Sequence, residues 1–99
     1  MKIALGADHG GYALKEEIKK MLERLGHTYE DFGCFSTDSC DYPDFGAAAA
    51  RAVADGSCQM GIVVCTTGIG MSIVANKTPG IRCAPCADSV EAEMTRRHN

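Results

Sequence analysis

Gly61-Ile62-Val63-Val64-Cys65-Thr66-Thr67-Gly68-Ile69-Gly70-Met71-Ser72 decides the fold: a β-branched apolar run ends on a cysteine and passes directly into a glycine-bearing turn and a helix. The run reads as a buried strand and the glycines as the turn that reverses into the helix. That layout puts the Cys65 thiol over a helix N-terminus. First-turn N–H groups there have no intrahelical partners, so they hold anions and favour thiolate over thiol. The helix dipole contributes roughly 0.3–2 kcal/mol to such an interaction. A sulfur so placed suits base chemistry near neutral pH.

Outward from this stretch, strands and helices alternate. Lys2-Ile3-Ala4-Leu5-Gly6-Ala7 is a short apolar run, and Leu14, Ile18, Met21, Leu22 and Leu25 follow on one helical stripe. Lys15, Glu16, Glu17, Lys19, Lys20, Glu23 and Arg24 fill the outer face, with Gly26 as the stop. Residues 27–32 form a partly exposed strand, 33–41 a polar loop, and Pro43 opens an alanine-rich helix that Gly56 closes. Residues 60–65 are a buried strand, 69–77 a helix, 78–80 a turn and 81–86 a fourth strand, with Pro85 marking it as an edge. Asp88, with Glu91 three residues on, caps a last helix. The βαβαβαβα order predicts a three-layer α/β/α sandwich with a parallel, Rossmann-like sheet, and ligands at the carboxyl ends of its strands.

Composition narrows the function classes. The 99 residues are 45% hydrophobic and 23% charged, which predicts one packed domain over residues 1–99. A net charge of −3 offers no basic face, so no nucleic-acid partner is expected. No apolar run approaches the roughly 18 residues of a membrane span, and no signal-peptide layout opens the chain, which predicts a cytoplasmic protein with no membrane partner. The six cysteines read as reduced thiols rather than a disulfide framework. They and the three histidines lack metal-ligand spacing, so no metal is expected.

Two strand ends carry the chemistry. Asp8-His9-Gly10-Gly11 follows the first strand and Cys65-Thr66-Thr67-Gly68 the third. If those strands are neighbours, a carboxylate, an imidazole, a thiol, two hydroxyls and free amides share one crevice. The residues alone leave it open that Asp8 caps a helix, His9 is a surface residue and Cys65 a buried strand cysteine. His98, with Arg96 and Arg97, equally suits a helix C-terminus, and Tyr42 a packing place before Pro43.

From residue 2 to residue 99 the chain resembles the type B ribose-5-phosphate isomerases and the related allose and galactose phosphate isomerases. The matching segments are Asp8-His9-Gly10-Gly11, Asp31-Phe32-Gly33, Asp41-Tyr42-Pro43-Asp44-Phe45, Cys65 with Thr67-Gly68-Ile69-Gly70-Met71-Ser72, Ala75-Asn76-Lys77, Pro79-Gly80-Ile81-Arg82 and Arg97-His98-Asn99. The resemblance implies a cofactor-free aldose–ketose isomerisation of a sugar phosphate, D-ribose 5-phosphate to D-ribulose 5-phosphate, through an enediolate. It implies that Cys65 is the base, and that Thr67 with the amides of Thr66, Thr67, Gly68, Ile69 and Gly70 holds the enediolate oxygens. His98, from a neighbouring subunit, matches the residue that opens the sugar ring, and Asp8 assists at the ring oxygen or hydroxyls. His9 matches a phosphate contact, while Tyr42 and Asn99 match substrate-binding positions. Met71 stands where another branch of the family has a glutamate base, which places this chain in the cysteine branch. A homodimer or homotetramer with active sites at the subunit interface is implied as well.

The chain departs from the family pattern twice. Thr66 replaces a usual glycine, and a position that needs φ > 0 would be strained by about 1–3 kcal/mol with a β-branched residue there. The sequence ends at Asn99, where the family continues through a further strand and helices, so the isomerase domain is expected to be incomplete at its C-terminus. Rival readings are a sugar-phosphate-binding module without turnover and a thiol–disulfide oxidoreductase using Cys83 and Cys86. Gly68-Ile69-Gly70 is a weak dinucleotide signal, since Ile73 occupies the third glycine's place.

Overall fold

A computed structural model describes residues 1–99. The element order is β1 (Lys2–Ala7), α1 (Tyr12–Arg24), β2 (Thr28–Asp31), α2 (Tyr42–Ala54), β3 (Met60–Val64), α3 (Ile69–Asn76) and α4 (Ser89–His98). The strands pair in parallel in the order β2-β1-β3, with Lys2 opposite Thr28 and Ala7 opposite Val64. The two strands that carry the candidate chemistry are therefore neighbours.

β1 is buried from Ile3 to Ala7 because both of its faces are covered. Ala4 packs with Ala49, Ala52 and Cys58 on the α2 side, and Ile3 and Leu5 pack with Leu22 of α1. Successive strand residues point to opposite faces, so α1 and α2 lie on opposite sides of the sheet. α3 packs against α2 on the same side, with Met71 fully buried. The small side chains of the alanine-rich helix let α2 lie close over β1. This is the three-layer α/β/α arrangement expected from the alternation.

Three local expectations are corrected. Residues 81–86 form no strand. Cys83 gives its N–H to Asn76 Oδ1 (2.9 Å) and its carbonyl accepts from Asn76 Nδ2 (2.7 Å), so a side-chain amide takes both groups a ladder would use. Pro85 has no N–H to add. The outer face of α1 is also misassigned, because Lys15 is wholly buried while Leu14 and Leu25 are 56% and 63% exposed. Gly11, Lys15 and Leu22 are buried and Ile18 half-buried, so Lys15 faces inward where Leu14 was expected. Finally, β3 stops at Val64, which leaves Cys65 as the first residue past the strand.

Lys15 is buried because it is paired. Its Nζ lies 2.7 Å from both Asp31 carboxylate oxygens and 2.5 Å from Cys34 O. The rings of Tyr12 and Phe35 flank it at 5.4 and 5.1 Å. Lys19 reaches Asp31 Oδ2 at 2.5 Å and Glu16 at 2.9 Å. Burial would raise the Asp31 carboxyl, but hydrogen bonds from Lys15, Lys19 and the Gly33 N–H outweigh it and hold Asp31 below the usual range.

Candidate active site

The crevice is built from the ends of β1 and β3. Asp8 donates its N–H to Val64 O (3.2 Å), joining the two strand ends. The Asp8 carboxylate accepts from the Gly11 N–H at 2.9 Å, which closes the turn into α1. Gly10 faces Thr66 so closely that any Cβ there would run into the threonine hydroxyl. The loop before α1 and the loop before α3 thus touch.

Cys65 is half-buried at this junction and its Sγ accepts the Gly68 N–H at 3.0 Å. Gly68 makes that bond possible: it caps α3 in the left-handed region at φ 79°, which turns its amide back toward the sulfur. Thr67 Oγ1 accepts from the Ile69 N–H at 3.2 Å. The backbone N–H groups of Thr66, Thr67 and Gly70 have no partner within the chain. Five expected donors thus divide into two engaged and three available. Thr66 itself is not strained, since no residue other than glycine has positive φ. Its side chain packs against Gly10 instead.

Tyr42, at the start of α2, lies across the first turn of α3; a Cβ on Gly70 would sit 2.9 Å from its ring. His9 is exposed at the opposite rim, where Cys40 N–H donates to its Nδ1 at 3.4 Å. Burial pushes the Cys40 thiol up, Cys34 and Asp8 add to the shift, and His9 opposes it. The structure therefore brings together Asp8, His9, Tyr42, Cys65, Thr66, Thr67, Gly68, Ile69 and Gly70.

His98 and Asn99 are elsewhere. α4 buries none of its residues, and Asn99 is held by Arg82, which donates to its carbonyl at 2.7 Å. Neither makes a hydrogen bond to the crevice residues. The cap of α4 forms as read, with Asp88 Oδ1 accepting from Glu91 N–H at 2.8 Å. Cys83 and Cys86 begin no helix, the arrangement a reactive C-x-x-C pair would need. Sequence reasoning missed Cys40 beside His9, which a polar loop of no regular period could not announce. It also missed Lys15, whose signal was a lysine at helical spacing between Gly11 and Ile18.

Residues 3–99 match the Ribose/Galactose Isomerase family. The chain is 44% identical over 98 residues to ribose-5-phosphate isomerase B of Escherichia coli, covering 99% of this chain and 66% of that protein. It is 43% identical over 100 residues to a D-erythrulose-4-phosphate isomerase of Pectobacterium atrosepticum, covering all of this chain and 66% of that one. The solved ribose-5-phosphate isomerase B of Clostridium thermocellum superposes with a TM-score of 0.98 at 55% identity, over all of this chain and 67% of that one. The chain spans about two thirds of the length of these relatives. Matched along nearly its whole length in sequence and in backbone, the chain belongs to the ribose/galactose isomerase family.

Proposed function

We propose that this protein interconverts an aldose phosphate and a ketose phosphate through an enediolate, with D-ribose 5-phosphate and D-ribulose 5-phosphate as the pair and no cofactor. The observation that carries the reading is the half-buried Cys65 sulfur, met by the Gly68 N–H at 3.0 Å beside unpartnered amides. A proton α to a carbonyl needs a base within reach and donors for the oxyanion that forms; one loop here offers both.

Cys65 takes the proton from the carbon next to the carbonyl and returns it to the neighbouring carbon. The Gly68 N–H is a ready partner for negative charge on sulfur. The free N–H groups of Thr66, Thr67 and Gly70, with the Thr67 hydroxyl, hold the enediolate oxygens, and such preorganised donors are usually the largest catalytic contribution. Asp8 faces the ring oxygen and hydroxyls, and His9 the phosphate. Tyr42 closes the side of the crevice over α3. His98 opens the furanose ring, and Asn99 binds substrate, both in the crevice of a second copy.

A homodimer or homotetramer is the assembly this reading requires. Ile69 and Ile73 on α3, and Val90 and Met94 on α4, are each one helical turn apart and between 46% and 66% exposed. Such apolar stripes suit a subunit contact. No helix is long and apolar enough to cross a membrane, and the compartment we infer is the cytoplasm.

Side-by-side assays of ribose 5-phosphate, allose 6-phosphate and galactose 6-phosphate on the purified protein test the substrate. Turnover highest on the pentose supports the reading. Turnover confined to a hexose replaces the pentose. Binding without turnover on any of the three leaves a binding module instead.

A further inference from the structure

The first turns of α1 send one side chain into the protein, and it is an ammonium. Between Tyr12 and Glu17 only Lys15 is buried; Tyr12 and Glu16 are half-buried, and Ala13, Leu14 and Glu17 are exposed. Packing alone would be served by Leu14, which a rotation of the helix by about 100° would turn inward. The rotation observed instead puts Lys15 Nζ against the end of β2, with both Asp31 carboxylate oxygens at 2.7 Å and Cys34 O at 2.5 Å. Those partners are themselves fixed to the end of β1. Asp31 Oδ1 accepts from the Gly33 N–H at 2.8 Å, while Gly33 O accepts the Ala7 N–H and Cys34 donates its own to Ala7 O, each at 2.6 Å. In the other direction Lys15 leads to the crevice. Its backbone N–H donates to Gly11 O at 2.9 Å, and the Gly11 N–H donates to Asp8 Oδ1 at 2.9 Å. Asp8 follows Ala7 directly, so the bonds close a circuit from the end of β1, through Cys34, Lys15 and Gly11, back to Asp8. The same Asp8 oxygen lies 3.4 Å from where a Cβ on Gly10 would be, beside the contact with Thr66.

We propose that Lys15 is a positioning residue for Asp8: clamped by Asp31 and the Cys34 carbonyl, its ammonium sets the rotation of the first turn of α1, and with it the Gly11 N–H that holds the Asp8 carboxylate at the crevice. The proposal rests on the isomerase reading, in which Asp8 faces the ring oxygen and hydroxyls of the sugar. Lys15 touches no substrate, being wholly buried, and acts only through the turn it holds. Charge-assisted hydrogen bonds are short and directional, so they fix an angle that apolar packing leaves loose. A methionine at this position fills space of similar length, keeps α1 on the sheet and makes none of these bonds. Displacing a substrate-facing group by even about 1 Å can cost about 10²-fold in rate, so a loosened turn is enough to be felt at the reaction.

A double-mutant cycle separates positioning from plain stability. kcat/KM for ribose 5-phosphate is measured per folded protein in the native chain, Lys15→Met, Asp8→Ala and the double variant. Lys15→Met is expected to lower it about tenfold when the Asp8 side chain is present, and by less than about twofold when it is absent, because nothing is then left to position. A loss of folded protein would scale both backgrounds alike. Amide hydrogen exchange without substrate gives a second readout: the Gly11 N–H of Lys15→Met is expected to exchange about tenfold faster relative to the buried amides of β1, which report global opening. If Lys15→Met leaves Asp31 too poorly paired to fold, Lys15→Met/Asp31→Asn removes both charges and takes its place in the cycle. An equal loss with and without the Asp8 side chain, a native kcat/KM in Lys15→Met, or a Gly11 N–H that exchanges no faster than in the native chain overturns the proposal. A native protein without turnover counts against the isomerase reading alone, and Gly11 exchange then decides whether Lys15 holds the turn.

Discussion

Thr66 sets how closely the two site loops approach. Where the family resemblance leads one to expect glycine, it needs no left-handed backbone and rests its hydroxyl against Gly10. The substitution thus acts through contact and not through strain. Gly10→Ala should cost about 1–3 kcal/mol, because the added methyl runs into Thr66. Thr66→Gly in that background should recover most of it, a coupling of about 0.5–3 kcal/mol. Urea midpoints of the two single variants and the double variant measure it; additive midpoints would contradict the contact. The place of Cys65 was readable because an apolar run and Gly68 fix both the end of the strand and the turn. Which amides remain free was not, since it depends on where the Cys65 and Thr67 side chains point.

The elements show where one-dimensional patterns stop. β1, β2, β3 and all four helices fall within a residue or two of the sequence reading, because alternation and glycine stops are local properties. Lys15 was read as solvent-facing since its partner, Asp31, lies on β2, sixteen residues on. Asp31→Asn leaves a buried ammonium short of its counter-charge and should destabilise by about 3–5 kcal/mol. The pH dependence has a defined sign. The folded Asp31 carboxyl lies below its unfolded value of about 3.9, so its contribution is complete at neutral pH and is lost as pH falls through the depressed value. Lys19 is raised against its burial by the hydrogen bonds it donates to Asp31 and Glu16, so its contribution is complete below about 10.4 and fades above that. Chemical denaturation from pH 7 to 3 should show the acid loss in the native protein and a much flatter profile in Asp31→Asn. The unformed fourth strand has a similar cause: residues 81–86 have the right composition, but pairing requires a neighbour, and Asn76 takes its place. Asn76→Ala should cost about 1–2 kcal/mol and speed amide exchange at Cys83; unchanged exchange there would contradict the bridge.

At the scale of the molecule, most of the proposed site lies in one crevice while His98 and Asn99 sit at the end of α4, so activity should depend on assembly. Ile73→Asp places a charge in the exposed apolar stripe of α3. It is expected to shift sedimentation toward monomer and to lower kcat together, with unchanged helical circular dichroism. A fully active monomer would place His98 outside the reaction. The layered architecture was readable from the order of elements, and the kind of reaction from Cys65 and its loop within a family match. A second copy was expected from the family resemblance alone, because no pattern along one chain reveals what covers an exposed face. Everything turns on Cys65 as the proton carrier. Nuclear magnetic resonance in deuterated water follows exchange of the sugar phosphate proton next to the carbonyl directly, in the native protein and in Cys65→Ala. The account predicts rapid exchange in the first, and a loss of about 10²–10⁴-fold in the second with sugar phosphate binding retained; exchange at the native rate in Cys65→Ala would contradict it.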